Sequence, residues 1–244
     1  MPQWAIGEGP TGLATTKRPS TARKRLNRER VLQAAVAFAD EHGIGSLSMR
    51  KLGDALGVEA MSLYNHVANK TELLDCMIDL VFSEIELPAT GADWQAAMRL
   101  RAISIRHVLS RRRWAIGLME TRTSPGPATL RHHEAVLACL RDAGFSIHLA
   151  ARASSVLESY MYGFALQEAG LPFRTAEETD DISRALLEQI PPDRFPRLTE
   201  LTLDHIFQPT YDPDHDYQFG LDLILHGLER SRKAQSRDTR ADAR

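Results

Sequence analysis

A chain of 244 residues with 43% hydrophobic and 25% charged residues can build a real core and has the charge content of an ordinary soluble protein. Its two cysteines, Cys76 and Cys139, stand far apart with no CxxC spacing, which argues against a disulfide framework or a structural zinc site and suits a reducing cytoplasm. The net charge of −2 divides unevenly: residues 1–70 carry 10 Lys and Arg against 6 Asp and Glu, the remainder 20 against 26.

In chain order, residues 1–24 are rich in Gly, Pro, Thr and Ser and read as a disordered arm. Neither this segment nor any other offers the apolar run of a signal peptide or a membrane span, so a cytoplasmic protein without membrane contact is expected. Val31, Ala34, Ala35 and Phe38 lie on one face of a helix with Asn27 as its N-cap, stopped by Gly43 and Gly45. Ser48 caps a short second helix that turns Leu52, Ala55 and Leu56 inward and closes at Gly57, where a positive φ is needed. Glu59 to Val67 makes a third. Asn69-Lys70-Thr71-Glu72 is a capping-box arrangement opening a helix that runs to about Glu86, before Pro88.

Further helices are expected at roughly 93–111, 114–121, 127–142, 147–169, 179–190 and 216–233, punctuated by Pro and Gly. No stretch alternates like a strand, so the fold class is all-α. Residues 171–216, with 11 acidic and 4 basic side chains, read as a partly ordered excursion. The tail beyond 233 is polar and expected to be loose.

The stretch from Leu47 to Val67 sets two helices of about two turns each across Gly57-Val58. Leu52, Leu56, Val58 and Leu63 face inward and leave the outer face of the second helix free to enter a DNA major groove. The basic balance of the N-terminal part is what such a head needs, because phosphate neutralisation supplies most non-specific affinity. An ordinary αα-corner also takes Gly in its turn, and spacing alone leaves both readings open.

Residues 26–86 resemble the DNA-binding domain of the tetracycline-repressor (TetR) family. The resemblance rests on Arg30-Val-Leu-Gln-Ala-Ala, His42-Gly, Leu47-Ser-Met-Arg-Lys-Leu, Leu56-Gly-Val, Ser62-Leu-Tyr-Asn-His-Val and Asn69-Lys-Thr-Glu-Leu-Leu. It extends into the body through Trp94-Gln95, Asp142-Ala-Gly-Phe145 and Phe219-Gly-Leu-Asp-Leu-Ile-Leu-His-Gly-Leu-Glu229. Gly53 departs from the pattern, which more often has Ala there. The resemblance implies a three-helix helix-turn-helix domain (25–87) joined by a connecting helix to a ligand-binding and dimerisation domain (88–233), flanked by the disordered basic arm (1–24) and loose polar tail (234–244) that composition gives. It also implies a repressor or, in some members, an activator.

Carried over, the resemblance assigns base contact to Arg50, Glu59, Ala60, Met61, Ser62 and Asn65, and phosphate contact to Ser48, Tyr64, His66 and Lys70. Plainer roles remain open: Tyr64 as part of the core, His66 as a structural hydrogen-bonding group, Lys70 as a solvated charge. The implied partners are a near-palindromic double-stranded operator, a second copy of the chain and a small organic effector. Helices 147–169 and 216–233 would form the dimer seam, with Leu225 as a seam residue.

In the branch that binds tetracycline with magnesium, histidines and polar side chains hold the drug. The matching positions here are Glu86, Arg101, Ile105, Met119, Thr123, Val136, Ser159 and Gln167. None is a histidine, so that ligand is not expected, and a more apolar chamber with Arg101 as one polar fixture replaces it. His132 and His133, being adjacent, point to different helix faces, and neither a metal nor a cofactor is implied. No catalytic constellation is visible. A DNA-binding regulator is favoured over an all-α enzyme or a pure protein adaptor.

Overall fold

The computed structural model describes residues 25–89, 91–119, 121–122, 124–170, 190–206, 208 and 212–242. All regular structure among them is helical. In chain order the helices are α1 (Arg28–His42), α2 (Met49–Leu56), α3 (Ala60–Leu63), α4 (Lys70–Ser83), α5 (Trp94–Arg111), α6 (Ile116–Met119), α7 (Pro127–Asp142), α8 (Ile147–Gly170), α9 (Pro196–Leu201) and α10 (Pro213–Asp242). The expected arm 1–24 lies outside the described residues, as does the expected helix 179–190 save Ile190.

Helix starts follow side-chain chemistry. Asn27, Ser48, Asn69 and Asp93 each accept a hydrogen bond from the backbone N–H three residues on, opening α1, α2, α4 and α5. Such a cap stabilises by about 1 kcal/mol. Gly57 ends α2 in the left-handed region, at φ 67° and ψ 37°. Gly53 is needed for a different reason: a Cβ there would lie 2.8 Å from the Val58 carbonyl, so its absence lets α2 rest on the turn leading to α3.

Two cores form. One gathers Val31, Ala35, Leu52, Leu63 and Leu73 from α1 to α4; the other gathers Ile105, Val136, Leu157, Leu221 and Leu225 from the body. Helix α4 belongs to both, giving Leu73 and Met77 to the first and Ile78, Val81 and Phe82 to the second. Its flank also fastens α7. Gly126 precedes that helix without a capping side chain, and Asp79 of α4 supplies the acceptor instead, taking the Thr129 N–H at 2.8 Å and its hydroxyl at 3.0 Å. A second latch joins α1 to the turn before α6: Asp40 accepts the Trp114 indole N–H at 2.7 Å and pairs with Arg112, which also donates to Glu84 at 2.9 Å.

Several expectations are corrected. The third helix is a single turn, Ala60–Leu63, followed by a turn to Val67, because the Asn69 cap must restart the chain in extended backbone at once. Helix α10 continues to Asp242, through most of the segment expected as a loose tail. Leu225 faces the protomer's own core with no exposed surface, whereas Phe219 and Leu223 on the opposite face are 68% and 60% exposed.

Candidate DNA-binding face and effector cavity

Ser48, Arg50 and residues 59–70 share one end of the head. Leu63 and Val67 are buried and pin α3 from below, which leaves Met61 74% exposed and Tyr64 and Asn65 exposed beside it. Arg50 stands exposed on the first turn of α2, and Glu59 stands exposed at the start of α3. Ala60 and Ser62 are partly covered. Ser48 is occupied locally, its hydroxyl oxygen accepting the Lys51 N–H at 3.2 Å.

His66 is half-buried, and its carbonyl accepts from Arg28 at 3.1 Å. Lys70 donates from Nζ to the Leu47 carbonyl at 2.7 Å, tying the start of α4 to the entrance of α2. Glu72 accepts the Ala68 N–H at 2.6 Å and pairs with Arg28 at 2.8 Å, and these two contacts hold its carboxyl below the usual carboxylate range.

In the body, α4, α6, α7 and α8 line a partly open cavity of about 270 Å³, walled by Phe82, Met119 and Leu130 and by the polar Arg122, His133 and Glu158. Behind Glu158 lies Arg101, 1% exposed. Its guanidinium donates from Nε and from a terminal nitrogen to His132 Nε2 at 3.0 and 2.9 Å, and reaches Glu158 at 3.4 Å. Since Nε2 accepts, His132 carries its proton on Nδ1, which finds no hydrogen-bond partner among the described residues. Burial first, and then the charge of Arg101, push the His132 imidazole down to about 3, so the ring is neutral at pH 7. Burial raises Glu158, but the His133 hydrogen bond and the Arg101 charge outweigh it and hold the carboxyl below its ordinary value. The result is one buried cation, a neutral ring oriented by it and a carboxylate at the cavity wall.

Of the expected pocket positions, Met119 lines this cavity and Arg101 supports it through Glu158. Ile105 and Val136 are sealed in the core, Glu86 is exposed beyond the end of α4, and Ser159 and Gln167 lie on the exposed face of α8. Thr123 lies outside the described residues. Phe82, Arg122, His133 and Glu158 were not anticipated. The signal available for them was Arg101 itself, an arginine on a helix face otherwise apolar at Ala97, Met98, Ala102 and Ile105, which must find partners if buried.

Two family models match this chain: "Bacterial regulatory proteins, tetR family" over residues 31–77, and "Tetracyclin repressor-like, C-terminal domain" over residues 87–232. The chain is 34% identical to the HTH-type transcriptional repressor DrrR1 of Streptomyces coeruleorubidus, over 88% of this chain and 82% of that protein. It is 31% identical to the class D tetracycline repressor protein of Escherichia coli, over 84% of this chain and 90% of that protein. Among solved structures, the TetR-family protein ActR of Streptomyces coelicolor in complex with actinorhodin superimposes with a TM-score of 0.70 at 28% identity, covering 85% of this chain and 99% of that one.

Proposed function

This chain belongs to the tetracycline-repressor family of DNA-binding transcriptional regulators, and from that premise we propose that it is a homodimeric repressor whose operator is released when a small organic molecule enters the body. The observation that carries the reading is the path from cavity to head. Phe82 lines the cavity from the same helix, α4, whose first residues lock onto the base of α2.

The residue roles follow from exposure. Arg50, free of hydrogen bonds among the described residues, has the fork geometry to read a guanine, and Met61 and Asn65 present an apolar and an amide contact to base edges. Glu59, Ala60 and Ser62 complete the face. Ser48, Tyr64, His66 and Lys70 flank it and set register on phosphates. The head is taken as residues 25–87 and the body as 88–233, with α4 giving side chains to the cores of both.

Dimerisation supplies the second recognition helix, since one short helix reads too few bases for useful specificity. The seam runs along the outer faces of α8 and α10, where Val156, Leu166, Phe219 and Leu223 are exposed and Gly163 and Gly227 have open space above them. Two glycines inside long helices each cost about 1 kcal/mol of helix stability relative to alanine, an expense that a close helix–helix approach accounts for. On a palindromic site the two α3 helices would stand about 34–36 Å apart.

Selection of bound duplexes from a random pool tests the reading: a two-fold symmetric site is expected, and a site without symmetry overturns it. Leu223→Asp should give a folded monomer in sedimentation at micromolar concentration. A dimer that persists with both Phe219→Asp and Leu223→Asp would place the seam elsewhere. No enzymatic role is proposed.

A further inference from the structure

The body cavity is not closed toward the head. At Asp75, Ser124 and Gly126 it meets a second, larger cleft of about 640 Å³ that runs between α1, α4 and the segment leading into α7. The two spaces share those three residues as a neck. The outer cleft is walled by Leu32 and Leu80 on its apolar side and by Arg28, Glu72 and Asp79 on its polar side.

At the neck stand two groups whose hydrogen-bonding capacity is unused. Among the described residues Asp75 Oδ1 is buried and accepts no hydrogen bond, being ion-paired with Arg122 at 3.5 Å, and the buried Nε of Arg122 likewise has no hydrogen-bond partner. A buried carboxylate oxygen that accepts no hydrogen bond leaves its desolvation incompletely offset, and a further donor at the neck would offset it. Along the whole space Glu72, Asp75, Asp79 and Glu158 face Arg28, Arg122 and, behind Glu158, Arg101, so the lining is negative by one charge. At the inner end Phe82, Met119, Ile78 and Leu130 form an apolar wall, the only one with an aromatic ring among the described lining residues, while the outer cleft has its own apolar side at Leu32 and Leu80.

We propose that the inner cavity and the cleft at the head–body junction form one two-lobed effector site, which takes a flat apolar ring system carrying a protonated amine. The rings lie in the inner lobe against Phe82 and Met119. The amine sits at the neck, bonds Asp75 and extends into the outer cleft. This rests on the effector reading above and goes beyond it in two ways: it names the ligand class, and it puts part of the ligand in direct contact with α1 and α4 of the DNA-binding head. A ligand in the neck also presses on Gly126, where a Cβ would stand 2.3 Å from the Asp79 carboxylate, so there is no slack between α4 and the start of α7. Filling the neck therefore bears on the joint through which α7 holds α4.

The test uses the full-length protein without DNA and three fluorescent probes: quinacrine, whose acridine ring carries a cationic amine chain; 9-aminoacridine, a flat monocation without the chain; and anthracene-9-carboxylate, a flat monoanion. Quinacrine should bind one per protomer and more tightly than either of the others. Asp75→Asn should weaken it at least tenfold. Thr71→Trp, an exposed position lining only the outer cleft, should weaken quinacrine while leaving 9-aminoacridine within twofold. Leu130→Trp, lining only the inner lobe, should weaken both cations. Melting curves confirm that each variant is folded, and Thr71→Trp keeps the test alive if Asp75→Asn is not. The anion binding as tightly as quinacrine, or quinacrine indifferent to Asp75→Asn and Thr71→Trp in folded protein, overturns the proposal. The effector reading fails on a separate measurement, namely unchanged operator affinity when the site is filled, so the two failures are distinguishable.

Discussion

In the head, the core made by α1 to α4 is apolar and no charged side chain among the described residues is fully buried, whereas the body draws Arg101 and His132 into its interior. The difference lies in what sets each interior. The head's helix boundaries are fixed by short-range rules: four-residue caps, glycines at positive φ at Gly43 and Gly57, and apolar residues at helical spacing, all within about one turn of the positions they govern. The body's polar cluster joins residues 31 and 57 positions apart, Arg101 with His132 and with Glu158, and exists only once α5, α7 and α8 have packed. A region of the first kind tolerates surface change and can be devoted to recognition. One of the second kind ties its stability to groups that also wall a cavity.

The largest effect expected from this contrast is at Arg101. Arg101→Ala leaves His132 without its donor and Glu158 without its nearest guanidinium, and breaking a buried charged network in this way costs about 3–5 kcal/mol. Urea unfolding should show that loss, against a change within about 0.5 kcal/mol for Arg50→Ala, whose side chain is exposed. Equal losses for the two variants would erase the distinction between the regions.

The next effect is on pH dependence. In the unfolded chain His132 would titrate near 6.5, and in the fold it is held to about 3, so between those values the unfolded state binds the extra proton. The stability contributed by the neutral ring is therefore complete above pH 6.5 and is lost as the pH falls below it, by up to about 1.4 kcal/mol per pH unit until pH 3. His132→Gln, which retains an acceptor for Arg101, should flatten the slope between pH 6.5 and 5. A wild-type stability independent of pH across that interval would mean that the ring is not held neutral.

Comparable in size but confined to the head is the loss of base reading. Arg50→Ala should weaken operator binding by about 1–3 kcal/mol and relax preference at one position of each half-site, leaving other sequences nearly unaffected. A uniform loss across matched and mismatched duplexes would reassign Arg50 to the phosphates.

How legible each region was in the sequence follows from the same contrast. The caps at Asn27, Ser48 and Asn69, the turn at Gly57 and the inward set Leu52 and Leu63 were readable because each depends on neighbours a few residues away. On α10 the period was visible but its orientation was not. Tyr217, Leu221, Leu225 and Leu228 face the protomer's core while Phe219 and Leu223 face outward, and a helix apolar on two sides does not declare which side is its own. The pocket was least legible. Counting forward from the motifs named Met119, which lines the cavity, and Arg101, which stands behind Glu158, together with Ile105 and Val136, which are sealed in the core; it did not name Glu158, whose place depends on how α8 packs against α5 and α7. Gly126 shows the same limit: as a residue before a proline it reads as a turn, and only the Asp79 carboxylate standing where its Cβ would be explains it.

The smallest expected effect concerns Lys70, where the two kinds of interaction meet in one side chain. Its ammonium already donates to the Leu47 carbonyl at 2.7 Å, which fastens α4 to the entrance of α2. An ammonium has three protons, so this bond leaves two for a phosphate on the same side, and the side chain can serve structure and DNA at once. Lys70→Met keeps most of the stem and removes both. The lost bond should lower stability by about 1 kcal/mol. The lost charge should weaken binding to matched and mismatched duplexes alike and reduce the steepness of the salt dependence by about one unit per subunit. Titrations at several salt concentrations separate the two consequences, because a structural role alone lowers the melting temperature without changing the salt slope. A slope identical to that of the wild-type protein would leave Lys70 as a clasp between α4 and the loop at Leu47, and the phosphate contact would have to be sought among Ser48, Tyr64 and His66.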